Sequence, residues 1–148
     1  MFKKILVAVG GPEASMEPAR VAARMANAEG AALTFVSVHR ATSTAFGEPD
    51  YSDRLLPRLA EAEHSLEQAH QIALREGFEH AELESLEGDP AQRIVELAKA
   101  GDYDLIVMGT HRRGRLGAAL LGSVSHAVAA GAGRPVLVVP EQQPAVAR

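Results

Sequence analysis

The chain is predicted to fold as an α/β protein: a five-stranded parallel doubly wound sheet of order 3-2-1-4-5, with helices on both faces. Three observations predict it. Apolar runs alternate with helical stretches along the chain, and no linker or composition shift divides them. The first, fourth and fifth runs are continuously apolar, as parallel strands covered on both faces are. Right-handed crossovers then restrict the topology, and the order 3-2-1-4-5 sets strands one and four side by side at the switch point.

The first strand is Lys4 to Val9, broken by Gly10-Gly11-Pro12. Ser15 can cap a helix with Val21, Ala22, Met25 and Ala26 on one face, Pro18 in its first turn and Gly30 as terminator. Strand two is Ala32 to Val38. From His39 to Ser52 the chain lacks periodicity and holds Thr-Ser-Thr, Gly47 and Pro49, so residues 39–52 are expected to form a mobile surface loop. A long polar-faced helix follows from about Pro57 to Glu76, stopped by Gly77. Strand three, near Ala81 to Leu86, alternates apolar and acidic residues as an edge strand with one wet face does.

Asp89-Pro90-Ala91-Gln92 supplies a capping carboxylate, a proline at the first helical position and a glutamine at the third. That is the clearest helix start in the chain, with Ile94, Val95 and Ala98 inward and Gly101 at the end. Strand four is Asp104 to Met108, the last helix runs from about Ser123 to Ala130, and Pro135 introduces strand five, Val136 to Val139. The polar stretch 141–148 reads as a frayed tail.

With 148 residues the chain fits one domain, large enough to bury a core without staples. It has no cysteine, hence no disulfide and no thiolate metal cage, which suits a cytoplasmic location. The apolar run after Met1-Phe2-Lys3-Lys4 is too short to span a membrane, so no membrane insertion is expected. A formal charge of −4 speaks against general nucleic-acid binding, because affinity for phosphate backbones grows with the number of basic contacts.

One segment looks like a site. From Asp104 to Pro140 the chain reads strand, glycine- and arginine-rich loop, helix start at Gly122-Ser123, and strand. Backbone N–H groups and the guanidiniums of Arg112, Arg113 and Arg115 are thereby aimed at one point where an anion can sit. Ligands of doubly wound sheets bind beyond the carboxyl ends of the strands at the switch point, where Gly10-Gly11-Pro12 meets Gly109 to Leu121. Neither common nucleotide fingerprint is present: no G-x-G-x-x-G follows strand one, and the stretch from Gly109 to Leu116 lacks the lysine and hydroxyl of a P-loop.

Five pieces together carry a resemblance: Ile5 to Gly11, Glu87-Gly88-Asp89-Pro90, Leu105 to His111, Leu120 to Ser125, and Arg134 to Pro140. The chain resembles a single-domain, UspA-like universal stress protein over nearly its whole length. The resemblance implies a Rossmann-like fold of the adenine nucleotide alpha hydrolase kind, and a homodimer. In the family's ATP-binding branch it also implies an adenine-nucleotide pocket, with magnesium accompanying ATP. On that basis Ala8, Val9 and Val38 would flank the adenine and Met108 and Gly109 would lie under the ribose. His111, Gly122, Ser123, Val124 and Ser125 would surround the phosphates.

Two departures bear on that pocket. The ATP-binding branch carries G-x2-G-x9-G-[S/T], and here Arg112 replaces the second glycine with the spacing intact. Gly10 stands where the family usually has an aspartate. A non-glycine residue at a left-handed position costs about 1–2 kcal/mol, and a guanidinium hydrogen bond to an anion returns about 1.5–3 kcal/mol. The two effects are comparable. Two functions from different classes follow: a nucleotide-binding stress-response module that acts through dimerisation and partners, or a dimeric stress protein without a nucleotide.

Plainer readings stand beside these. The three arginines read equally as a solvated loop, Gly122-Ser123 as a helix cap, and His111 as a surface histidine. No serine sits in a nucleophile elbow and no acid is placed to orient a histidine, so no catalytic residue is assigned and at most slow, incidental ATP hydrolysis is expected. The histidines show no metal spacing, and no metal ligand is assigned. Strand five, residues 136–139, lies at a sheet edge in the predicted order, where the resemblance implies antiparallel pairing with a second copy.

Overall fold

The computed structural model describes residues 1–10, 15–41, 48–110 and 122–140, with the backbone alone over 48–55. In chain order the elements are β1 (Lys4–Ala8), α1 (Glu17–Glu29), β2 (Ala32–His39), α2 (Glu48–Arg75), β3 (Glu82–Glu87), α3 (Pro90–Ala100), β4 (Leu105–Gly109), α4 (Ser123–Gly131) and β5 (Val136–Val139). The strands form one parallel sheet in the order β3-β2-β1-β4-β5, as the apolar runs predict.

Strand alternation divides the core in two. Ile5 and Val7 face α1 and α2 together with Leu33, Phe35 and Val107, while Leu6, Val36 and Ile106 face α3 and α4. Phe35, Ile5, Leu6 and Ile106 are among the largest fully buried side chains. Each contributes about 1.5–3 kcal/mol relative to exposure. Ala19, Ala22, Ala23 and Ala26 give α1 a small-residue face that lets it lie close to the sheet.

The helix ends follow their local chemistry. Asp89 caps α3 by accepting from the Gln92 amide at 3.0 Å, and Gly30 closes α1 in the left-handed conformation at φ 66°. The Ser15 hydroxyl accepts from the Glu17 amide at 3.1 Å, although Met16 occupies the cap position. One expectation is corrected: α2 begins at Glu48, not near Pro57, which lies inside the helix. The end of the 39–52 segment is therefore helical, its start continues β2 to His39, and 42–47 lie outside the described residues. Strand β3 is wetter than expected, for Leu83 on its apolar side is 41% exposed.

At the amino ends of the strands, polar groups tie the layers together. The buried Tyr103 hydroxyl donates to Thr34 Oγ1 at 2.9 Å, and Lys4 Nζ stands 4.5 Å from the Tyr103 ring centroid while donating to the Gly101 carbonyl at 2.6 Å. Arg134 donates to the carbonyls of Ala98, Tyr103 and Ala132, so one guanidinium holds the last turn of α3 against the end of α4.

Asp104 joins β1 to β4 by accepting from the amides of Lys3 at 2.8 Å and Lys4 at 3.1 Å. Burial pushes its carboxyl up, but these two amides, its own amide and the Lys3 charge outweigh burial and hold it below the usual carboxylate range. A carboxyl depressed in the folded state contributes stability above its unfolded pKa, and that contribution is lost as pH falls through the folded value. Asp104→Asn is accordingly expected to lower the melting temperature at pH 7 and to flatten the acid limb below about pH 4. Thermal melts from pH 7 downward check this. A variant whose acid limb parallels the parent's would refute the assignment.

Candidate functional site

The pairing Ile5↔Leu105, Leu6↔Ile106 and Val7↔Val107 brings the carboxyl tips of β1 and β4 out of the sheet side by side. Beyond β1 comes Gly10, and β4 ends at Gly109 with buried Thr110 after it. The Thr110 amide donates to the Val139 carbonyl at 3.2 Å, which ties the β5 tip to the same edge.

The start of α4 is fixed to this edge by one side chain. Ser125 is 3% exposed, and its hydroxyl donates to the Gly109 carbonyl at 3.1 Å. The helix opens at Gly122, whose extended backbone provides no side-chain cap, and the His126 amide returns to the Gly122 carbonyl at 3.0 Å. Ser123, Val124 and Ser125 are therefore the first-turn residues, whose amides have no acceptor within an α-helix. Their partial positive charge makes the β4 tip receptive to an anion.

Both strand-end glycines are constrained. A side chain at Gly109 would begin 3.2 Å from Pro18 Cγ, because the first turn of α1 rests on the β4 tip. Gly10 has φ +140°, a conformation L-residues rarely adopt, and a side chain there would begin 3.0 Å from the hydroxyl of buried Ser37. An aspartate at position 10 would be strained on this backbone.

Among the other expected site residues, Ala8, Val38, Met108 and Val124 come together on the α3/α4 side of the sheet. Val9 does not join them: its side chain packs on the α1/α2 side, and its amide donates to the Val36 carbonyl at 2.9 Å. His111, Arg112, Arg113 and Arg115 lie outside the described residues, as do Gly11, Pro12 and the tail 141–148. Sequence reading missed Ser37, Pro18 and Thr110. Ser37 had a signal, a lone hydroxyl in the otherwise apolar carboxyl half of the second strand.

Elsewhere, a cleft of about 330 Å³ between α1 and α2 is lined by Met16, Ile72, Arg75 and the Glu17–Arg20 ion pair. The hydrogen bond from Arg20 holds the Glu17 carboxyl below its ordinary range against a smaller opposing effect of burial. Among the described residues no group of three or more acidic or histidine side chains could hold a metal ion, and no helix is long and apolar enough to cross a membrane.

Fold and tip geometry define a doubly wound α/β protein with its switch point between β1 and β4, the place where sheets of this kind bind ligands. The chain belongs to the universal stress protein family, whose family model matches residues 1–140. It is 39% identical over 139 residues to the "Universal stress protein in QAH/OAS sulfhydrylase 3'region" of Thermus aquaticus, covering 94% of this chain and 99% of that relative. Among solved structures it is similar to a universal stress protein in complex with cAMP, at 26% identity and a TM-score of 0.73 over 93% of this chain and 97% of the other. It is also similar to the universal stress protein from Archaeoglobus fulgidus in complex with dAMP, at 26% identity and a TM-score of 0.62 over the same shares of the two chains.

Proposed function

We propose that this chain is a stress-response module that holds an adenine nucleotide, ATP, at the β1/β4 switch point and acts through a homodimer and its protein partners. The observation that carries the reading is the Ser125–Gly109 link, which sets the open first turn of α4 against the β4 tip. Gly122 to Ser125, with His111 and Arg112, would receive the phosphates. Met108 and Gly109 would lie under the ribose, and Ala8 and Val38 beside the base. Val9 and Gly10 would contribute backbone only. The cAMP and dAMP complexes of similar proteins support a ligand of this class.

No carboxylate is offered at Gly10, so magnesium would be carried by the phosphates of ATP and not by the protein. That composition suits holding a nucleotide with, at most, slow incidental hydrolysis. A cytoplasmic location fits such a ligand.

Calorimetric titration with Mg-ATP up to millimolar, together with analysis of nucleotide released by heat from the purified protein, tests the reading. Heat of binding or released nucleotide is expected. A silent titration with no released nucleotide favours the second reading, a dimeric stress protein without a nucleotide, for which the observation is Gly10, which offers no side chain at the β1 tip.

For the dimer, β5 is an edge strand and Val136, Leu137 and Val138 are only half-buried in one chain. An antiparallel pairing of 136–139 with a second copy would cover that edge. Val138→Lys is expected to convert the dimer to monomer in light scattering. A variant that stays dimeric would place the interface elsewhere.

A further inference from the structure

We propose that the outer edge of β3 is a docking strand for an extended, basic segment of a partner protein, taken up by strand addition. The inference rests on the reading that the module acts through protein partners, and not on its nucleotide. β3 closes the sheet on the side opposite β5, so β2 alone pairs with it. The register runs unbroken from Thr34↔Glu82 to His39↔Glu87, and no proline interrupts it. Such an edge offers a row of backbone donors and acceptors to an incoming strand.

One bond sets the direction of those groups. The Gly88 amide donates to the His39 carbonyl at 2.9 Å, toward β2. Amides alternate in direction along a paired strand, so those of Glu82, Glu84 and Leu86 also turn toward β2, while those of Leu83, Ser85 and Glu87 turn outward. Among the described residues no further hydrogen bond takes up these three amides.

The side chains along the edge have two characters. Leu83 stands level with Phe35 on the α1/α2 side of the sheet and is 41% exposed. Glu84 stands level with Val36 on the α3/α4 side, Glu82 shares that side, and both are exposed. Among the described residues neither glutamate, nor Glu79 or Glu87 beside them, forms an ion pair. From Glu76 to Pro90 the chain has six acidic residues and no lysine or arginine, so the edge is negative throughout.

Charge selects the occupant. Two copies laid edge to edge along β3 would set carboxylates against carboxylates, which disfavours self-pairing and leaves a basic strand as the one that fits. In that strand every second residue is lysine or arginine, lying beside Glu82 and Glu84. The residues between are uncharged, and one of them covers Leu83.

The test titrates a capped hexapeptide, Lys-Val-Lys-Thr-Lys-Val, into the isotopically labelled full chain without nucleotide. Saturable binding is expected, with amide hydrogen exchange slowed at Leu83, Ser85 and Glu87 and unchanged at Glu82, Glu84 and Leu86. Glu82→Lys combined with Glu84→Lys, both at the surface, is expected to weaken binding by about tenfold or more, the scale of two reversed cross-strand charge pairs. No binding, unslowed exchange at the three outward amides under saturating peptide, equal affinity in the double variant, or protection at Val136 to Val139 of β5 instead would overturn the proposal. The ATP titration is read separately, so this inference and the nucleotide reading fail independently.

Discussion

Gly101→Ala is expected to lower the unfolding free energy by about 2–5 kcal/mol, the sum of overpacking and of a lost buried hydrogen bond. The alanine methyl would fall 2.4 Å from Tyr103 Cε2 and 2.9 Å from Cδ2, with the Leu97 carbonyl at 3.1 Å. Backbone strain plays no part, because Gly101 has an ordinary helical φ of −88°. The ring has to move, and it is pinned. Tyr103 is 5% exposed, its hydroxyl is bonded to buried Thr34, and Lys4 packs over its face. Moving it leaves the buried Thr34 hydroxyl of β2 without that partner and loosens the β4 entry that Arg134 also braces. Urea unfolding measures the loss. Tyr103→Phe, which removes the hydrogen bond without crowding, should cost only about 1 kcal/mol. Equal costs for the two variants would show that the ring relocates freely.

The second large effect belongs to the site. Gly109→Val is expected to cost about 1–3 kcal/mol of stability through overpacking, and to reduce nucleotide affinity by more than about tenfold, since an ångström-scale displacement of binding groups has effects of that size. Its Cβ would start 3.2 Å from Pro18 Cγ and 3.8 Å from the Val139 carbonyl, and the two branching methyls of valine add bulk to an already tight contact. Relief requires α1 to lift from the β4 tip or the tip to shift. Either movement carries the Gly109 carbonyl away from Ser125, and with it the first turn of α4. Gly109→Ala should fall between parent and Gly109→Val in both measurements. Ser125→Ala separates the two causes, because it removes the link without crowding Pro18. Nucleotide affinity unchanged in Gly109→Val would remove the β4 tip from the site.

Where the chain spoke through periodicity and punctuation, it was legible. The unbroken apolar character of Ile5 to Val7, Ile106 to Met108 and Val136 to Val139 marks strands with a helical layer on each side, and that requirement leads to the observed order. Asp89-Pro90 and Gly30 mark helix ends because they meet needs of the backbone itself. The early start of α2 was hidden because Gly47, Pro49 and Pro57 are local turn and breaker signals, and here the helix runs through Pro57 regardless.

At the strand tips, the adjacency of β1 and β4 was legible from topology, and the start of α4 at Gly122-Ser123 from its local chemistry. The Gly10 conformation was not, since a missing aspartate gives no hint that the backbone there has turned to positive φ. Nor was the division of Ala8 from Val9: consecutive residues on a strand point to opposite faces, so a run read as flanking one ligand splits between two layers. Ser37 escaped for a related reason. Its closeness to the β1 tip involves Gly10, twenty-seven positions earlier, which contributes no side chain at all.

The central claim is that the adjoining tips of β1 and β4, with the opening turn of α4, hold a nucleotide. Backbone amide chemical shifts followed while ATP is titrated into labelled protein test it most directly. The account predicts saturable shifts concentrated at Ala8 to Gly10, Val38, Met108 to Thr110 and Gly122 to Ser125. Shifts confined to the α1/α2 cleft around Met16 and Ile72, or an unchanged spectrum at millimolar ATP, would contradict it.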